Sequence, residues 1–312
     1  MDIILNKPSV NINLDSDGLF SYLFLKLASY KGHISGYSNS NDLILSEYPI
    51  DDLWSDFYVD LFTPKPNATT IDQHIISNSN DISFPETKIN PHILIENHIA
   101  NNPKSYCGKF PFSTSIFMLG LCEREGKISD DVGLFENIDY KNNFFGGYGI
   151  TLADLLLRAD GCLLNRCQYE RNVSYWKDKM IEFSNGGINT ERVLEYLVRM
   201  PREEAQVKHG IISNGYFNYG LSKDGGYNGR IDLEENLRLI VNLFRSISKY
   251  LNVLVKECET TLYKYIGVVR DAKSDLTEDL SSFDTYAFTR NNQIKYTTDF
   301  KCCDKITFKN FN

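Results

Sequence analysis

Short apolar runs that end in a carboxylate recur along the first half of the chain, and they limit its fold more than any other feature. Residues 8–15 alternate apolar and polar side chains and reach Asp15, and the run Phe57-Tyr58-Val59 closes on Asp60. The run Thr69-Thr70-Ile71 likewise closes on Asp72. Runs this short and this apolar read as buried strands. After the first of them, Asp15-Ser16-Asp17-Gly18 turns the chain into a helix expected over Leu19–Tyr30, with Leu19, Phe20, Leu23, Phe24 and Leu27 apolar. Gly32 stands where a helix commonly needs a left-handed residue to end. Residues 33–39 give a second strand. Strand, helix and further strands in this order predict an α/β fold with a doubly wound, mostly parallel sheet. Sites in such sheets form beyond the carboxyl ends of the strands.

The rest of the chain is helical and then mixed. Residues 76–90 are polar and loop-like. A buried helix is predicted over Phe112–Gly126, with Ser113 or Thr114 as its N-cap. The aromatic, glycine-rich stretch 135–149 reads as a loop, and residues 151–165 as a second buried helix. Two helical segments follow within 168–200, and then a glycine- and tyrosine-rich loop or hairpin at 213–230. Leu233, Leu237, Ile240, Val241, Phe244, Ile247 and Leu251 recur at helical spacing, and the tail after Gly267 reads as strands. The division expected is an α/β domain at 1–165. A helical linker and a smaller C-terminal α+β domain, for substrate binding or assembly, follow at 166–312.

Composition narrows the class of function. Hydrophobic residues make up 42% of the 312, enough to bury a core. No stretch approaches the roughly 20 apolar residues of a membrane helix. The amino-terminal stretch is too short and too acidic to read as a signal peptide. The seven cysteines show neither CxxC pairs nor Cys/His knuckles, so they read as reduced thiols of a cytoplasmic protein. A net charge of −8 argues against an unaided grip on long duplex DNA. A short nucleotide, a nucleic-acid end or a protein partner suits this balance better.

The chemistry is carried by acids in a fixed order: Asp15 and Asp17, then Asp60, then Asp72 with His74, then Asp154 and Asp160. Carboxylates gathered above one sheet edge repel one another unless a cation sits among them. Hard ions such as Mg²⁺ or Mn²⁺ prefer that oxygen-rich setting. A pair of them can clamp the attacking and leaving oxygens of a phosphate ester.

This order resembles the DHH phosphoesterase superfamily, whose first motif is His-x-x-x-Asp-x-Asp followed by a small residue and a Ser. The corresponding stretch is Asn11-Ile12-Asn13-Leu14-Asp15-Ser16-Asp17-Gly18, with Ser21 after it. Asp60 matches the second motif, and Asp72-Gln73-His74 stands for the third, Asp-His-His. Asn90-Pro91 and the run Pro111-Phe112-Ser113-Thr114 match later elements. The resemblance covers about half the chain. It implies one or two Mn²⁺ or Mg²⁺ ions on Asp15, Asp17, Asp60 and Asp160, with Asp154 as the second choice for the last place. It implies Asp72 and His74 at the reacting phosphate, and Ser21, Asn11 and Gln73 toward the substrate. Two departures stand out: Asn11 and Gln73 occupy the places of metal-binding histidines. The function implied is a metal-dependent phosphodiesterase or nuclease acting on nucleic-acid ends or short nucleotides. The alternative is a catalytically degenerate DHH-like subunit that assembles with a protein partner or with itself.

Plainer readings exist for the same residues. Asp15 and Asp17 suit the amino end of a helix for electrostatic reasons alone. His92 and His98 are spaced wrongly for a metal pair on one helix and read as structural, and Tyr216, Tyr219 and Tyr227 pack a small sheet or stack bases. The run Asp15-Ser16-Asp17-Gly18-Leu19-Phe20 also resembles the nucleophile motif of HAD-type phosphatases, with Asp15 attacking phosphorus and Asp17 as acid/base. The acidic pair that motif needs later has only Asp130-Asp131 as a poor counterpart.

Overall fold

The computed structural model describes residues 1–13, 16–38, 42–45, 57–61, 67–73, 86–95, 110–138, 145–160, 167–218, 268–271, 274–279, 296–302 and 305–310. After a short helix α1 (Asp2–Leu5), strand β1 (Ser9–Asn13) leads into helix α2 (Ser16–Leu27) and strands β2 (His33–Ser38) and β3 (Asp42–Leu45). Strands β4 (Phe57–Val59), β5 (Thr69–Ile71) and β6 (Lys88–Ile89) follow, then helices α3 (Pro91–Leu94), α4 (Thr114–Arg124) and α5 (Leu152–Asp160). Helices α6 (Cys167–Phe183), α7 (Ile188–Arg199) and α8 (Arg202–Asn218) precede strands β7 (Val268–Asp271), β8 (Ser274–Asp279), β9 (Tyr296–Cys302) and β10 (Lys305–Asn310).

The main sheet runs β6-β5-β4-β1-β2-β3-β7. Its five strands β6, β5, β4, β1 and β2 are parallel, and β3 and β7 add antiparallel pairings at one side. Strands β8, β10 and β9 form a separate antiparallel sheet. The α/β class expected from the sequence is therefore present, with strand order reversing at β1: β2 lies on one side and β4 on the other.

Period-two alternation explains why such short strands hold. Val10 and Ile12 of β1 and Phe57 and Val59 of β4 enter the main core, while Tyr58 turns to a second cluster with Leu61 and Ala68. Both faces of β4 are thus covered, as parallel strands require. Helix α2 buries every residue from Asp17 to Leu25, and α4 buries every residue from Thr114 to Glu123. A helix apolar on nearly all sides belongs inside a fold. The core continues through Val173, Trp176, Met180 and Phe183 of α6 and Val193, Leu194 and Leu197 of α7.

Several local expectations shift. Helix α2 ends before Gly32, and Ser29 takes the left-handed conformation (φ 71°) in its place. Gly32 instead makes room for a neighbour, since a Cβ there would lie 2.2 Å from the Tyr30 hydroxyl. Strand β6 lies in a segment read as loop, because two residues with a lysine give no periodic signal. Helix α8 extends to Asn218, into the stretch read as a glycine-rich hairpin. The apolar repeat from Leu233 to Leu251 lies outside the described residues, as do Tyr219 and Tyr227. Among the described residues, no helix is long and apolar enough to cross a membrane.

Candidate functional site

The register of the parallel strands lines up a row of polar side chains. Ile12 pairs with Val59, Val59 with Ile71, and Ile71 with Ile89. One residue further on, the same register brings Asn13, Asp60, Asp72 and Asn90 into line across the carboxyl ends of β1, β4, β5 and β6. Backbone bonds carry the ladder into this row: Asp60 N–H donates to the Ile71 carbonyl at 2.8 Å, and Asp72 N–H to the Ile89 carbonyl at 3.2 Å. Asp60, Asp72 and Asn90 are all buried. The row lies beside the place where the strand order reverses, the usual position of a ligand crevice in an open α/β sheet.

Asp60 is held from two sides. Its Oδ1 accepts from the Thr114 hydroxyl at 2.7 Å, and its Oδ2 from the Asn13 side-chain amide at 3.0 Å. Its backbone is left-handed (φ 55°), a conformation that Asp and Asn tolerate better than other side chains with a Cβ. The chain bends there out of β4, which brings the carboxylate to the amino end of α4.

Asp17 reaches the same helix end from α2. Its Oδ2 accepts the Thr114 N–H at 2.8 Å and its Oδ1 the Ser115 N–H at 2.7 Å. The acid therefore caps a helix 97 residues away rather than serving only its own first turn. Burial, then repulsion from Asp60, pushes its carboxyl well above the usual range, and the bonds from Ser115 and Thr114 oppose that rise. The following Gly18 is required by the close approach: a Cβ there would stand 2.2 Å from the Asn13 carbonyl oxygen. Ser113 is the N-cap of α4, accepting from Ile116 N–H at 3.2 Å, so the amino end of α4 is satisfied by a serine and an aspartate together.

The remaining predicted residues fall around this centre. Asn11 lies on β1 two residues before Asn13, and Gln73 follows Asp72; both are buried. Ser21 is fully buried on α2, one turn beyond Asp17. Asp15 and His74 lie outside the described residues. Asp160 is the last residue of α5. Asp154, the second choice for the fourth acidic place, is occupied elsewhere: its carboxylate accepts from Tyr196 at 2.5 Å and from Lys208 at 2.9 Å. His92 is structural, accepting the Phe110 N–H on Nε2 at 3.1 Å and packing edge-on against Trp176. Asn90 caps α3 by accepting the His92 N–H, with Pro91 at the first helical position.

Thr114 is the residue that sequence reasoning placed only as a cap. A serine- and threonine-rich helix start was visible, but nothing local signals that its first hydroxyl meets an acid 54 residues earlier. The groups that meet Asp17 and Asp60 are hydrogen-bond donors: two backbone N–H groups, a hydroxyl and a side-chain amide, one for each carboxylate oxygen. Among the described residues, no group of three or more His, Cys, Asp or Glu is placed to hold a metal, so that part of the site supplies two carboxylates joined through Thr114. Fold and site together define an α/β protein with a buried acidic centre at the switch point of a parallel sheet. No protein-family model matches the chain, and no curated protein or solved structure matches it.

Proposed function

We propose that the chain is a divalent-metal-dependent phosphodiesterase or nuclease of DHH type, acting on nucleic-acid ends or short nucleotides. The observation that carries this reading is the pair Asp17 and Asp60. Both are buried at the carboxyl edge of the sheet, where the order reverses, and both are bonded to Thr114. Two like charges buried together are relieved by a cation. Asp15, Asp17, Asp60 and Asp160 are the proposed ligands of Mg²⁺ or Mn²⁺. Once bound, such an ion polarises a phosphoryl oxygen and lowers the pKa of its water. Asp72, in line with Asp60, and His74 are assigned to the reacting phosphate, with Ser21, Asn11 and Gln73 orienting the substrate.

A second reading has its own observation. Both oxygens of Asp17 already accept α4 amides, a commitment to structure that suits a degenerate subunit assembling with a protein partner. Hydrolysis of bis-p-nitrophenyl phosphate and short oligonucleotides, with Mn²⁺ and then Mg²⁺, separates the two. Metal-dependent turnover that falls by at least two orders of magnitude in Asp60→Asn supports the enzyme. Absence of turnover together with absence of metal binding by calorimetry overturns it in favour of the subunit.

A further inference from the structure

His92 joins two segments that flank the acidic centre. It stands on α3, two residues after Asn90, and its backbone N–H donates to the Asn90 side chain at 2.9 Å. Its ring reaches across to the segment that leads into α4, where the Phe110 N–H donates to Nε2 at 3.1 Å. Four residues after Phe110 comes Thr114, which donates to both Asp17 and Asp60. An imidazole nitrogen that accepts a hydrogen bond carries no proton, so the His92 ring is the neutral tautomer with its proton on Nδ1. The surroundings favour that form. His92, Phe110 and Trp176 are all buried, and the Trp176 ring meets the His92 and Phe110 rings edge-on, each with centroids 5.3 Å apart. The charged groups of the neighbouring elements are engaged elsewhere. Lys88 of β6 donates to the Ala68 carbonyl, Lys177 of α6 pairs with Asp178 and Glu195, and Lys179 sits over the exposed Tyr175 ring. The segment 110–113 is Phe, Pro, Phe and Ser and brings no charge.

We propose that His92 is a proton-sensitive latch: neutral, it holds the entry to α4 in place, and protonated, it releases Phe110 and loosens the anchorage of the acidic centre. A proton added at Nε2 turns the acceptor into a donor. The Phe110 N–H then loses its partner, and a cation is placed among aromatic rings away from water. The sign follows from the open form. A released histidine titrates near ~6.5, so below that value the open form holds the extra proton and gains as pH falls. At pH 5.5, one unit below that value, opening is favoured about 10-fold relative to pH 7.5. The latch acts whether or not the acidic centre binds an ion.

Hydrogen exchange on the full chain tests this. Protection of the Phe110 amide, corrected for the intrinsic pH dependence of exchange, is expected to fall about 10-fold between pH 7.5 and pH 5.5, while that of Val193 in α7 stays level. His92→Gln, which offers an acceptor in the same place and cannot take a charge, is expected to keep Phe110 protection constant over that range. Should glutamine not be accommodated, nitrogen-15 spectra of the wild-type imidazoles decide, since His92 should show an unprotonated Nε2 at pH 7.5. Phe110 protection that does not change with pH, or that falls equally in wild type and folded His92→Gln, overturns the latch. A His92 ring that carries its proton on Nε2 at pH 7.5 overturns it as well.

Discussion

Lys88 lies on a two-residue edge strand with 2% of its surface exposed, donating to the Ala68 carbonyl at 2.6 Å. Burial brings its ammonium down to about 7. The sign of the consequence is fixed by the unfolded chain, where a lysine titrates near ~10.4. Between these values the unfolded state holds the extra proton, so stability rises with pH through that window, and the penalty is fully present below about pH 7. Urea denaturation of wild type and Lys88→Met at pH 6.5 and pH 10 should show the wild type gaining on the variant as pH rises. A constant gap would show that the buried amine does not titrate there. Glu123 offers a second residue-scale test. Its carboxylate accepts the Asn189 and Thr190 N–H groups at 2.8 and 2.9 Å, and a Cβ on Gly187 would stand 2.2 Å from Oε2. Glu123→Ala should cost roughly 2–3 kcal/mol, in line with bonds to a charged acceptor. Gly187→Ala should also destabilise the protein, because its Cβ would lie 2.7 Å from the Glu123 Cβ as well, a contact that no rotation of the carboxylate relieves. The two changes should be less than additive in a double-mutant cycle, because both break the same cap.

Helix α8 is attached through charge as well as through its buried Ala205 and Ile212. Lys208 donates to Asp154 Oδ1 at 2.9 Å and to the Tyr196 hydroxyl at 2.5 Å, linking α8 to α5 and α7. Burial works against the Lys208 ammonium, but the bonds to Tyr196 and Asp154 outweigh it and raise its pKa. Lys208→Met removes the cation beside Asp154, which is 0% exposed but keeps its bonds from Thr151 and Tyr196, and should destabilise the protein by roughly 1–3 kcal/mol. Hydrogen exchange should show α8 losing protection before α4 does. Elements of this kind divide sharply in how readable they were. Strand β1, helix α2 and the Ser113 cap could be read locally, because alternation, apolar crowding and a serine before a helix act within a few residues. Asp60 and Asp72 were legible as strand ends for the same reason. The tie from Asp17 to Thr114, the Glu123 cap on α7 and the Lys208 network were not, since each joins segments tens of residues apart. Strand β6 escaped because hydrogen bonding to β5 defines it, and its own two residues carry no pattern.

The whole molecule should answer a metal ion if the acidic centre binds one. A ligand that binds only the folded state stabilises it by about 2.7 kcal/mol at a hundred times its Kd. Wild-type protein should therefore melt at a higher temperature as Mn²⁺ is added, and Asp60→Asn should not. Asparagine tolerates the left-handed backbone at this position, so the variant removes charge without straining the bend. Equal shifts in both proteins would place the metal elsewhere. The contact between Asp17 and the amino end of α4 also has a consequence for how the chain is made. Ribosomal synthesis releases the polypeptide from its amino end at about 5–20 residues per second. Asp17 emerges early, yet the amides that receive it belong to Thr114 and Ser115, 97 and 98 residues later. For that interval α2 has no partner for its acid and none of the α4 surface that completes its burial. The parallel strands are all made before Thr114, so what must wait for a segment not yet translated is the burial of α2, and that face of the core closes last.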